Sequence, residues 1–155
     1  MILNHRTGLY EACQRLSPTD PAYADLPIEE AFNWSSVLDD ARFERLYLVV
    51  FRSVWRESTD LSLLKEHDER AYAAALEAGG LLHYFKGEVN GRRECLSFCL
   101  WESREQALAA SRGVSHRRAV QLSAETYESY VLERCDLLKR GERLVFRPLE
   151  GGVAA

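Results

Sequence analysis

From Arg45 onward, apolar and polar positions fall into a regular succession of strand-like and helix-like segments, whereas the first forty residues hold no sustained period. Leu46 to Ser53 are apolar on both alternating faces and β-branched or aromatic in part, the pattern of a central strand. Thr59 or Asp60 then caps a helix to about Ala78, with an inward stripe of Leu64, Ala71, Ala75 and Ala78. Gly79-Gly80 stops it, because glycine takes the left-handed position after a helix without penalty. Leu81 to Val89 read as a second strand, Asn90-Gly91 as a tight hairpin turn and Arg92 to Trp101 as the returning third strand. Ser103-Arg104-Glu105-Gln106 is a capping box opening a second helical region, which breaks at Gly113 and restarts at Ser115. The restarted piece turns Ala119, Val120, Ala124 and Tyr127 inward. Tyr130 to Leu138 form a fourth strand, and Leu144 to Pro148 a short last one before a loose Gly-Gly-Val-Ala-Ala tail.

The order strand, helix, strand, strand, broken helix, strand is that of an α+β, ferredoxin-like β-α-β-β-α-β core, one antiparallel sheet with both helices on a single face. Residues 43–140 make this domain, and 141–155 a C-terminal strand and tail. Residues 1–42 hold three of the four prolines and read as an arm that docks on the core. The arm has a short helical turn near Leu9 to Leu16 and an added strand near Phe32 to Leu38, since Phe32 and Trp34 alternate. Both alternating sets of the first strand are apolar, so the second sheet face needs cover as well. No further helices stand out to cover it. A second copy of the sheet is the economical answer, giving a homodimer with facing sheets, a dimeric α/β barrel.

Composition narrows the partners. At 155 residues the chain has the size of one domain, with 46% hydrophobic and 28% charged residues, a globular balance. A net charge of −4 and a pI near 5.6 disfavour a nucleic-acid partner, and no apolar run approaches the roughly 20 residues of a membrane span. No export signal is evident at the N-terminus, so the expected location is cytoplasmic. The four cysteines, Cys13, Cys95, Cys99 and Cys135, lack metal-site spacing. On one strand Cys95 and Cys99 lie about 13 Å apart, too far for a disulfide. Neither metal nor cofactor is expected.

Gly79 to Ala119 carry a resemblance. The Gly-Leu-Leu entry to the second strand, the Trp101-Glu102-Ser103 end of the third and His116 opening a helical segment are similar to the dimeric α/β-barrel superfamily. The nearest branch is that of antibiotic biosynthesis monooxygenase-like proteins. The resemblance spans Arg45 to about Leu138. It implies a barrel fold that serves cofactor-free oxygenases, haem-degrading enzymes and proteins of no known activity.

Candidate site residues follow from strand alternation. Cys95, Ser97, Cys99 and Trp101 share one face of the third strand, and Leu96, Phe98 and Leu100 the other. The bulky set suits the helix side, and the small set either lines a cavity on the opposite face or packs against bulky neighbours. His83 points into the same space or is a hydrogen-bonded core residue. Arg52 borders it too, or forms a cross-strand ion pair with Glu133. His116, at a helix start that disfavours imidazolium, is either a neutral base or ligand or a packed residue. In the haem-degrading branch a helix histidine and a strand tryptophan help bind haem, roles that fall on His116 and Trp101. The asparagine that completes that site is missing from the first strand. GxGxxG, P-loop, GxSxG and HExxH motifs are absent, and the neighbours His67 and Asp68 point different ways on a helix. The readings are a cofactor-free monooxygenase-like enzyme on a small apolar or aromatic compound, with His116 and Trp101 catalytic; a non-catalytic binding or assembly domain; or a haem-binding protein.

Overall fold

The computed structural model describes residues 2–112 and 125–149. Helix α1 (Ile2–Cys13), a 3-10 turn (Tyr23–Asp25), α2 (Ile28–Ala31) and α3 (Trp34–Leu38) precede the core. Strand β1 (Arg45–Trp55), α4 (Leu61–Ala78), β2 (Leu81–Phe85), β3 (Glu94–Trp101), α5 (Arg104–Ser111), β4 (Tyr127–Arg140) and β5 (Arg143–Pro148) follow. The five strands form one antiparallel sheet in the order β2-β3-β1-β4-β5. The α+β class and the β-α-β-β-α-β order are as the sequence implies. Among the described residues no helix is long and apolar enough to cross a membrane. Gly113 to Ala124, including the expected helix restart and His116, lie outside the described residues.

Local chemistry sets the elements. Asp60 caps α4 by accepting from the Leu63 N–H at 3.0 Å, and Gly79 ends the helix at φ 81°. Ser103 accepts from the Gln106 N–H and donates to the Gln106 side chain, so the capping box closes side chain to side chain. The hairpin differs from the expected two-residue turn. Asn90 Oδ1 accepts from the N–H groups of Arg92 and Glu94, and the left-handed residue is Arg93 at φ 63°, not Gly91. This wider turn ends β2 at Phe85 and delays β3 to Glu94. Strand β4 starts at Tyr127, so this residue belongs to the sheet and not to a helix.

The larger correction concerns the sheet's second face. Helices α4 and α5 cover one face, as expected, but the other is covered by the arm and is not bare. Leu9, Ala12, Cys13, Leu16, Phe32, Trp34, Val37 and Leu38 pack there on Leu46, Leu48, Val50, Leu96, Phe98, Leu100 and Leu137. The arm's apolar residues are spread over a helix, two short turns of helix and a 3-10 turn, so no single period announces them. Phe32 to Leu38 is no strand; Phe32 bridges Pro18 and the chain then enters α3. The bulky set Leu96, Phe98 and Leu100 accordingly faces the arm, and the small set faces the helices. The bare face that called for a facing-sheet homodimer is occupied by the chain itself.

Polar clamps hold the arm down. Arg52 donates to the carbonyls of Ala24 (2.9 Å) and Leu26 (2.8 Å) and pairs with Glu133 at 2.5 Å. The Lys139 ammonium donates to the carbonyls of Leu38, Asp39 and Ala41, taking up acceptors at the C-terminal end of α3. Gln14 donates to the Leu82 carbonyl at 2.6 Å.

Candidate functional site

Between the sheet and α4/α5 lies a cavity of about 260 Å³. Its floor is the helix-facing set of three strands: Val49, Phe51 and Ser53 of β1, Cys95, Ser97 and Cys99 of β3, and Tyr130, Leu132 and Arg134 of β4. Pairing brings these into register, with Val49 opposite both Cys99 and Arg134, and Ser53 opposite both Cys95 and Tyr130. Small side chains on β3 leave the volume open. The roof is the α4 face of Leu64, Asp68, Ala71 and Ala75. One end is closed by the packed cluster of Tyr47, Leu81, Trp101 and Ala107.

Aromatic rings dominate the walls. Tyr127 and Tyr130 stack with centroids 5.0 Å apart, Tyr72 and Tyr84 lie 5.5 Å apart, and Trp55 and Phe51 border Tyr127 and Tyr130. Among the described residues the hydroxyls of Tyr84, Tyr127 and Tyr130 have no protein hydrogen-bond partner. Burial pushes all three phenols well above the ordinary tyrosine value, and the Asp68 charge adds to it, so they are neutral donors at physiological pH.

The charged groups on the cavity lining are few. Asp68 Oδ2 sits 3.4 Å from Lys86 Nζ, linking α4 to the end of β2. Burial raises the Asp68 carboxyl above its usual range while Lys86 opposes the shift. Arg134 hydrogen-bonds Tyr47 beside the closed end. The thiols are inert by contrast, burial pushing Cys99 up to about 12 and raising Cys95 as well. All four cysteines are free, and no group of three or more His, Cys, Asp or Glu among the described residues could hold a metal.

The residues singled out by sequence divide between the two faces. Cys95, Ser97, Cys99 and Trp101 all border the cavity, though on the helix side. Ser97 and Cys95 are already engaged: Ser97 Oγ accepts from the Gly87 N–H at 3.0 Å, and Cys95 Sγ donates to the Gly87 carbonyl. A Cβ on Gly87 would lie 1.9 Å from the Leu96 carbonyl oxygen, so only glycine lets the chain pass this close. His83 and Arg52 do not line the cavity. A bulge between Leu81 and His83 shifts the alternation of β2, so Leu81 and Tyr84 face the cavity while His83 turns to Gln14 and Phe98 on the arm side. Arg52 is a structural clamp. His116 lies outside the described residues.

Asp68, Lys86 and the three tyrosines were missed, and Asp68 left a readable signal. Leu64, Asp68, Ala71 and Ala75 are spaced four, three and four apart, so a carboxylate stands inside the apolar stripe of α4. His67 also borders the cavity. Adjacent helix positions diverge, yet both reach a roof this wide.

Comparisons with solved structures agree with this architecture. A putative antibiotic biosynthesis monooxygenase from Nitrosomonas europaea matches with a TM-score of 0.52 at 8% identity, over 63% of this chain and 93% of that one. Protein SO0527 from Shewanella oneidensis matches at 0.53 and 12% identity, over 63% and 96%. Rv0793 from Mycobacterium tuberculosis matches at 0.51 and 14%, over 61% and 93%. The chain thus shares the ferredoxin-like fold of these three proteins, and more than a third of it lies outside each of these matches. No curated protein matches it. A family model matches residues 2–147, covering the arm and the sheet together, and the chain belongs to the PB2B2.08-like family.

Proposed function

We propose that this protein takes a small planar aromatic compound into the cavity between the sheet and α4/α5, as a cofactor-free monooxygenase-like enzyme. The aromatic-walled cavity itself carries the reading. At about 260 Å³ it falls just below the roughly 300–1,000 Å³ typical of small-molecule sites, which suits one or two fused rings. The stacked Tyr127–Tyr130 pair and the Tyr72–Tyr84 pair offer flat apolar surface for such rings.

The oxygenase part draws on a neighbour described as a putative antibiotic biosynthesis monooxygenase, with the same fold. Without a cofactor the substrate must supply the electrons. An activated ring CH₂ and O₂ would give a ring carbonyl and water, one oxygen atom going to each product. The chamber would contribute exclusion of water, neutral phenol donors and Asp68 as proton acceptor. A second reading, binding without turnover, is favoured by the engagement of Ser97 and Cys95 with Gly87 and by the high thiol pKa of Cys99. The four free cysteines suit a reducing compartment such as the cytoplasm.

Ala71→Phe, which fills the roof, separates these readings. Tight one-to-one binding of 1-naphthol by tryptophan fluorescence, lost in Ala71→Phe, supports the cavity. Oxygen uptake with electron-rich hydroxyarenes, above a protein-free control and also lost in Ala71→Phe, supports the enzyme. Binding with no uptake leaves a binding protein, and no binding to the native chain rejects both.

A further inference from the structure

We propose that Asp68 and Lys86 form a recognition dyad for a hydroxyl group on the aromatic ligand, so that the cavity discriminates hydroxyarenes from the parent hydrocarbons. The inference rests on the cavity being the ligand site and adds what the ligand must carry.

Placement comes first. Asp68 projects from the middle of α4 within the stripe that roofs the cavity, and Lys86 stands at the end of β2, one residue before the pinned Gly87. The two carriers are independently fixed, one by the helix and one by the close approach of Gly87 to β3. Both charged ends border the cavity and keep partial access, with side-chain exposures of 32% for Asp68 and 47% for Lys86.

The pair's own chemistry is unfinished. A carboxylate accepts at about four lone-pair positions and an ammonium donates three hydrogens. Among the described residues, Lys86 is the only ion-pair partner of Asp68, at a loose 3.4 Å. Charge-assisted N–H···O contacts are commonly about 2.7–2.9 Å, so this pair leaves acceptor and donor capacity on both groups for a third partner. A hydroxyl oxygen is donor and acceptor on one atom. Lying against both groups, it would donate to the Asp68 carboxylate and accept from the Lys86 ammonium. A ring hydrocarbon can do neither, and a methyl ether can only accept.

The remaining charges select among donors. Asp68 is the one acid on the described lining, and Lys86 is the charged group that acts on it. An ammonium ligand would gain the carboxylate as a partner but meet the like charge of Lys86 beside it. A neutral hydroxyl meets no such penalty, and the flat tyrosine pairs take the ring that bears it.

A plain helix-to-sheet ion pair would contribute only to stability and would ignore the ligand's substituents. The test therefore compares 1-naphthol, 1-methoxynaphthalene, naphthalene and 1-naphthylmethylamine by fluorescence titration of the full chain at pH 7. The native protein is expected to bind 1-naphthol at least tenfold tighter than the other three. Asp68→Asn should reduce that preference to within about threefold while naphthalene binding stays unchanged, and Lys86→Met should do likewise. Equal binding of naphthol and naphthalene by the native chain, which needs no variant to observe, would overturn the dyad and leave the cavity intact. Tighter binding of the amine would overturn the hydroxyl class. Failure of all four to bind would reject the cavity and the dyad with it.

Discussion

The two faces of the sheet are built to different standards. Among the described residues, every large side chain that is fully buried belongs to the arm-side cluster: Trp34, Phe98, Leu38, Leu48, Leu96, Leu100, Leu137, Val50 and Cys13. The five-residue α3 buries Trp34, Val37 and Leu38, whereas α4, with 18 residues, buries none. On the arm side, rings interlock, Phe32 meeting Phe98 and Phe85 at 4.8 Å and Trp34 meeting Phe98 at 5.1 Å. On the helix side the same strands present cysteine, serine and tyrosine around open volume. Close packing excludes a ligand, and a cavity forgoes the contacts that close packing supplies. Stability is concentrated on one face and the capacity to bind on the other.

Substitutions that probe each face should break this symmetry unequally. Trp34→Ala removes a fully buried ring and its hydrogen bond to the Ile28 carbonyl, and should cost about 3–5 kcal/mol in urea unfolding. A loss below about 1 kcal/mol would make the arm an accessory. Arg52→Leu leaves two arm carbonyls and Glu133 without their donor and should cost about 1–3 kcal/mol by the same measurement. Leu64→Ala on α4 should stay under about 1 kcal/mol, because its side chain borders open volume and is only half-buried. A cost matching that of Trp34→Ala would mean the helix face is as tightly built as the arm face.

The smallest effect is electrostatic. The Asp68 carboxyl is raised in the folded chain, so its contribution to stability is fully present below its ordinary value near 3.8 and is lost as pH rises through the folded value. Asp68→Asn should therefore gain on the native protein between pH 4 and pH 7, seen as a relative rise in its urea midpoint. A relative fall would show that attraction to Lys86 outweighs the burial of the charge.

What the sequence disclosed follows the same division. The five strands and α4 were legible because their apolar periods run long enough to be counted and because Asp60, Gly79 and Ser103 mark helix ends. The arm was legible as something that docks, but not as the cover of a sheet face, since α2 and α3 are too short to show a stripe. Matching the bulky strand face to the long helices puts the cavity on the wrong side, because the short arm helices pack more densely. His83 was misplaced by a bulge that no local residue pattern announces. Lys86 and the tyrosines gain their meaning only from strands far apart in the chain, whereas Asp68 stood in its stripe in plain view.

Locating a bound aromatic directly is the closest test of a packed face opposed to a binding face. Intermolecular NOEs can be collected from the ring protons of 1-naphthol to assigned methyl and aromatic protons of the isotope-labelled chain. Contacts are expected to Ala71, Ala75 and the rings of Tyr84 and Tyr130, with none to Leu16, Val37 or Leu38. Contacts to the arm residues, with Ala71 and Ala75 silent, would place the ligand on the wrong face and contradict the division of labour between them.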